Sequence, residues 1–153
     1  MNTVWSELDK LTLGQIAEHL ARVEFAAHGW EVFPSMVDNR GVDFVAKHKQ
    51  EYYEVQVKSI RNNNYTFLKK DVEISDSFLI CYIRFIDGNN PKIYVFPSTV
   101  WHGQNALFVN RSYEYGINCS NKNLKLLKQH EAEEFFNKRK CANDEVVPCK
   151  EQD

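Results

Sequence analysis

With 153 residues, 43% of them hydrophobic, the chain is long enough for one domain with a substantial core and too short for two. A formal charge of -2 gives no sign of the broadly basic surface of many nucleic-acid binders, so a polyanionic partner would have to be met by local charge. No apolar run is long enough to span a bilayer and MNTVWSELDK carries no signal pattern, so a soluble, cytoplasmic protein with no membrane partner is expected. The cysteines, Cys81, Cys119, Cys141 and Cys149, show neither a CxxC pair nor zinc-like spacing with histidines, and read as reduced thiols. No internal repeat or low-complexity linker interrupts the chain.

The first predicted element is a helix from about Leu13 to His28, with Thr12 as its cap, Gln15 completing a capping box and Gly29 as a left-handed terminator. Leu13, Ile16, Leu20, Val23 and Ala27 form its apolar stripe. Glu18 and Arg22 stand off that stripe one turn apart, the spacing of a helical ion pair worth about 0.2–0.5 kcal/mol. Glu24 lies nearer the stripe. Gly14, one turn before Glu18, costs a helix about 1 kcal/mol against alanine, which implies that another group approaches closely there. Trp30 to Phe33 reads as a short strand stopped by Pro34. In the polar loop 35–41 that follows, Asn39 and Arg40 are placed to reach a phosphate or to serve as turn residues, and Arg40 is the one assigned to binding.

Arg40 to Arg61, RGVDFVAKHKQEYYEVQVKSIR, reads as two strands joined by a tight charged turn, GVDFVA and then YYEVQVKSI. Alternation sends Tyr53, Val55 and Val57 to one side of the second strand and Glu54, Gln56 and Lys58 to the other. A strand this apolar belongs inside a sheet, where a carboxylate, an amide and an ammonium in one row are costly unless paired or ligand-bound. Asp43 supplies an acidic partner if the register sets it beside Gln56 and Lys58. Acid, amide oxygen and amine at one spot suit a hard divalent cation and a phosphate. The same alternation also fits the solvated face of an antiparallel strand.

Beyond Lys58, SIRNNNYTFLKKDVEIS is expected to be irregular around its three consecutive asparagines. Ser59, Arg61, Lys69 and Lys70, interleaved with Tyr65 and Phe67, form a basic flank suited to a nucleic-acid backbone and its bases, though taken without the neighbouring strand the segment reads as a plain exposed hairpin. Phe78 to Ile86 and Lys92 to Phe96 are apolar strands joined by DGNNP, the first with both faces covered. Pro97 and Ser98 open a helical turn through Trp101, ALFV is the last strand expected, and Tyr113 to Asn118 reads as a loop. Ser120 caps a lysine-rich helix, broken or bent near His130 and packed through Leu124, Leu127, Phe135 and Phe136. Lys122, Lys125 and Lys128 make a basic stripe that suits contact with nucleic acid but is more often a solvated face. The expected architecture is one α/β domain over 1–140, a mixed, mostly antiparallel sheet of about five strands flanked by helices, followed by a polar, mobile tail over 141–153.

A helix carrying a glutamate, then a strand with GVDFVA, then a strand with VQVKS, resembles the PD-(D/E)XK nuclease superfamily. More narrowly it resembles the branch with glutamine in place of the acid of the E-x-K pair, seen in some restriction-type and group I intron-associated endonucleases. The resemblance covers about the first half of the chain. It implies a restriction-endonuclease-like core and a metal-dependent deoxyribonuclease. Asp43, with the side-chain carbonyl of Gln56, would hold Mg²⁺, for which Mn²⁺ can substitute. Glu18, in LGQIAEHL, would be the extra acidic group, ranked above Glu54, and Lys58 would orient the attacking water and stabilise developing charge. DNA as partner, a homodimer or higher even assembly and no small-molecule cofactor are implied in the same way. A second class stays open, because a glutamine at this position also suits a fold kept for binding: a non-catalytic module or immunity-type protein partner. No GxSxG, P-loop or dinucleotide fingerprint points to other chemistry.

Overall fold

The structure, a computed structural model, describes residues 4–35 and 40–142. Asn39 and the tail beyond residue 142 lie outside the described residues. A 3-10 turn, Trp5–Glu7, leads into α1, Lys10–Ala27. The helix begins earlier than predicted because Asp9 rather than Thr12 is its cap: Asp9 Oδ1 accepts the Thr12 N–H at 2.8 Å. Its buried face is Leu13, Ala17, Ala21 and Phe25, while Val23, assigned to the stripe from the sequence, is 64% exposed and Ala27 is exposed. The small Ala17 and Ala21 bring the helix close to the sheet, and Phe25 meets Trp30, Phe44 and Phe136 edge-on. The close approach expected at Gly14 is not found: among the described residues nothing lies within 4 Å of where its Cβ would be.

Five strands form the main sheet: β1 (Glu31–Pro34), β2 (Phe44–His48), β3 (Glu51–Arg61), β5 (Phe78–Phe85) and β6 (Lys92–Pro97), in the order β1-β2-β3-β5-β6. Only β3 and β5 run parallel; the other neighbours are antiparallel. The sheet is therefore mixed and mostly antiparallel, as expected. Every residue of β5 is buried, and its alternate side chains serve two cores. Leu79, Cys81, Ile83 and Phe85 join α1 in one, while Phe78, Ile80 and Tyr82 join the other.

The second core belongs to a sheet that the sequence reading lacked. β4 (Tyr65–Lys69), β7 (Phe108–Asn110) and β8 (Glu114–Asn118) pair in the order β4-β8-β7. The segment after Lys58 is thus regular once past its asparagines, and the stretch predicted as a loop from Tyr113 to Asn118 contains the central strand. The two strands are tied by side chains as well as by their ladder: Tyr65 Oη donates to the buried Glu114 carboxylate at 2.7 Å, and Arg111 lies 3.4 Å from the same carboxylate. Burial and Glu114 together push the Tyr65 hydroxyl pKa up to about 12.

The C-terminal helix breaks near His130, as read from the sequence, into α2 (Leu124–Lys128) and α3 (Ala132–Cys141), with a 3-10 turn, Asn121–Asn123, before them. Ser120 makes no side-chain capping bond. The break has a structural use: His130 O accepts the Val95 N–H at 2.9 Å, and the two pieces wrap the β6 edge. Leu127 then packs in the second core and Phe135 and Phe136 in the first.

Two glycines give opposite tests of this packing. A Cβ on Gly116 would stand 2.1 Å from Tyr65 Oη, so Gly116→Ala must displace a ring held by Glu114 and should cost about 1–3 kcal/mol. Gly14→Ala meets open space and should raise stability by about 0.5–1 kcal/mol. Urea unfolding monitored by circular dichroism reads both.

Candidate active site

The site is built where β2 and β3 part. Their ladder ends at the pair Phe44 and Val55, with the Asp43 N–H still donating to Val55 O at 2.9 Å. The Asp43 carboxylate then enters the ladder itself: Oδ2 accepts the Val57 N–H at 2.6 Å. This charge-assisted bond fixes the carboxylate beside β3. Arg40 and Gly41 turn the incoming chain away with consecutive left-handed conformations, φ 62° and 72°. A Cβ on Gly41 would lie 2.6 Å from Gln56 Nε2, so this glycine also makes the seat for the Gln56 amide.

The expected alternation of β3 is present. Tyr53 and Val55 are buried in the first core, and Val57 packs partly against it. Gln56 and Lys58, on the opposite side, are half-buried. They face a cleft of about 670 Å³, lined by Gln56, Lys58 and Ser59 on one side, Phe67 and Lys69 on the other, and Arg40 at one end. Gln56 Oε1 is buried and makes no hydrogen bond among the described residues, an acceptor poised for a ligand. Burial lowers the Lys58 pKa; the negative charge of Asp43 opposes that shift and the positive charge of Lys69 adds to it. Asp43, Lys58 and Lys69 are therefore one electrostatic neighbourhood.

The other expected residues fall in different places. Glu18 has 44% side-chain exposure and lies 3.9 Å from Arg22, the helical pair considered at the outset. Glu24 pairs with His28 at 3.2 Å and lines a separate groove with Lys92 and Glu131. Glu54 faces an adjoining groove of about 420 Å³ with Glu73, one that shares Arg40 and Val72 with the main cleft. Arg61 points its guanidinium at the carbonyls of Leu8 and Ser6, at 2.8 and 3.1 Å, and so ties β3 to the segment before α1. Lys70 lies over the Tyr115 ring at 4.8 Å, away from the cleft lining that includes Lys69. Reasoning from sequence assigned no role to Gly41, whereas Phe67, an aromatic of the basic flank in that reading, does line the cleft. The glycine sits in the quoted GVDF, and a glycine two residues before the acid was the available signal.

Among the described residues no group of three histidine, cysteine or acidic side chains is placed to hold a metal. The donor set on hand is one anchored carboxylate and one orphaned amide oxygen. That set fits a hard cation that keeps several waters, such as Mg²⁺, and does not suit a thiolate- or imidazole-seeking metal.

No family model and no curated protein matches this sequence. Among solved structures, the chain is similar to the bacterial homing endonuclease I-Ssp6803I, with a TM-score of 0.61 and 17% identity over 91% of this chain and 100% of that one. It also matches Hjc, a Holliday junction resolvase of the archaeal hyperthermophile Archaeoglobus fulgidus, with a TM-score of 0.49 and 14% identity over 81% of this chain and 95% of that one. The first likeness shows a shared fold along nearly the whole chain, with the mixed, mostly antiparallel sheet and flanking helices expected from the sequence.

The Lys58 environment makes a prediction about stability. Its folded pKa lies below the unfolded value, so the charged ammonium costs the fold stability at neutral pH, and that cost fades as pH rises from the folded value towards the ordinary lysine value. Lys58→Met should therefore raise the melting temperature by about 2–5 °C at pH 7. The difference from wild type should shrink toward pH 10, as differential scanning calorimetry at the two pH values will show.

Proposed function

We propose that this protein is a metal-dependent endonuclease that hydrolyses DNA phosphodiester bonds at the Asp43, Gln56 and Lys58 cluster. The observation that carries the reading is the buried Gln56 Oε1, without a hydrogen bond among the described residues, on one cleft with a desolvated Lys58 whose charge feels the backbone-anchored Asp43. The shared fold with a homing endonuclease supports it.

In this reading Asp43 and Gln56 Oε1 would hold Mg²⁺, with Mn²⁺ as a substitute. When bound, the metal supplies positive charge to the phosphate and acidifies a bound water. Lys58, as a compact point charge, orients the attacking water and stabilises charge that builds on the phosphate oxygens. Lys69 and Arg40 hold flanking phosphates, with Ser59 as a hydroxyl donor beside them. Glu18 contributes a further negative charge through water, and Arg61 positions the N-terminal segment against β3. One site cuts one strand, so cleavage of a duplex calls for a homodimer or higher even assembly.

The decisive assay is cleavage of supercoiled, linear and branched DNA with Mg²⁺ or Mn²⁺. Asp43→Ala and Lys58→Ala should each lower the rate by at least about 10²–10³-fold, with Lys58→Ala changing DNA affinity far less. A wild type that binds neither metal nor DNA and cuts nothing would refute the assignment in favour of a protein-binding module. Gln56→Glu adds a negative charge at the same donor position, and should tighten Mn²⁺ binding by about tenfold or more, read by calorimetric titration.

A further inference from the structure

We propose that β4 is a base-stacking platform with Phe67 as its contact, so that the cleft takes DNA carrying an unpaired or unstacked nucleotide beside the scissile phosphate in preference to ideal duplex. This deepens the nuclease reading and rests on it.

Phe67 is 49% exposed, whereas its neighbour Leu68, on the opposite face of the strand, is 1% exposed in the second core. An aromatic ring left half in water forgoes part of the stabilisation that burial would contribute. Its position gives that exposure a use. The cross-strand partner of Phe67 is Gly116, which offers no side chain, and the space above Gly116 is occupied by Tyr65. Tyr65 is itself locked to Glu114 and covered by Arg111, whose guanidinium lies 5.0 Å from the ring centre. Phe67 is left as the cleft-lining ring that these contacts do not hold.

Charge then selects the path of a strand. Lys69 follows Phe67 on the same face of β4 and stands close enough to Lys58 to influence its protonation. The ring is thus bracketed by cations suited to phosphates, an arrangement of aromatic and basic groups that binds single strands. In the other direction along β3, the adjoining groove presents Glu54 and Glu73, which repel a phosphate backbone. A strand that leaves its helix at the scissile phosphate and turns over β4 meets Lys58, Phe67 and Lys69 and avoids Glu54 and Glu73, with Asp71 the one carboxylate among the described residues of the cleft lining that it passes. A stiff duplex has no such freedom.

The test uses fluorescence anisotropy in Ca²⁺, with three labelled oligonucleotides of one sequence: single-stranded, duplex with a central bulge, and perfect duplex. Wild type should bind the first two at least about tenfold more tightly than the third. Phe67→Ala should lose about tenfold on them and much less on perfect duplex. Phe67→Leu, which keeps an apolar side chain without a ring, should behave like Phe67→Ala. Phe67→Trp should retain binding, with its indole fluorescence quenched by single-stranded DNA. Equal wild-type affinity for all three, or an equal loss on all three in Phe67→Ala, would overturn the inference while leaving the nuclease reading intact. A Phe67→Ala variant that dissociates an oligomer seen for wild type by sedimentation would make the ring a subunit contact and overturn it too. Failure of wild type to bind any DNA would refute both.

Discussion

The bond from the Val57 N–H to Asp43 Oδ2 is the interaction on which the site depends. It stands where β2 leaves β3, and it replaces a backbone acceptor with a carboxylate at the moment the ladder ends. One contact thereby satisfies a β3 donor, fixes the direction of an acid, and lets the chain before it peel away through Arg40 and Gly41. The gap opened by that departure is filled by the Gln56 amide, seated against Gly41. Among the described residues its oxygen has no hydrogen-bond partner.

Such a site is expensive, and the surrounding packing shows how the fold sustains it. A buried amide oxygen without a partner and a desolvated ammonium both oppose folding. They are held in place by β5, whose eight residues are all buried and feed two separate cores. One core lies against α1, with Phe25, Trp30 and Phe136 in edge-on contact. The other joins the main sheet to the small second sheet. The cleft is where β3 and β4, consecutive strands assigned to different sheets, diverge. Its mixed lining is therefore a consequence of topology: Val57 and Val72, at the margins of the two cores, reach it beside Gln56, Lys58 and Lys69.

Arg61 and Lys70 show how charge read along a sequence differs from charge placed in space. Four groups, Ser59, Arg61, Lys69 and Lys70, looked alike as a basic flank. In the fold, Ser59 and Lys69 line the cleft, while Arg61 is spent on two carbonyls near the N-terminus and Lys70 lies over Tyr115. Strand alternation and the sheet switch at Asn62 to Asn64 sort them. A bend of this kind is invisible to a count of lysines and arginines.

What the sequence by itself determined was local in origin. The period of two in YYEVQVKSI set Gln56 and Lys58 on one side of a strand, the apolar run FLICYIRF declared a central strand, and the break near His130 was legible in a helical pattern that loses its apolar face. These signals lie within a dozen residues, and backbone geometry alone turns them into structure. The tertiary structure decided everything that required a distant partner. The ALFV strand was legible and is present as Phe108–Asn110, but Glu114–Asn118 carries too few alternations to declare itself, and exists because Tyr65–Lys69 pairs with it from some fifty residues away. The helix stripe likewise passed from Val23 to Phe25 because only the packed sheet defines which side of α1 is inside. Gly41 acquired its role in the same way, since a missing side chain becomes meaningful only when another, Gln56, comes to occupy its space.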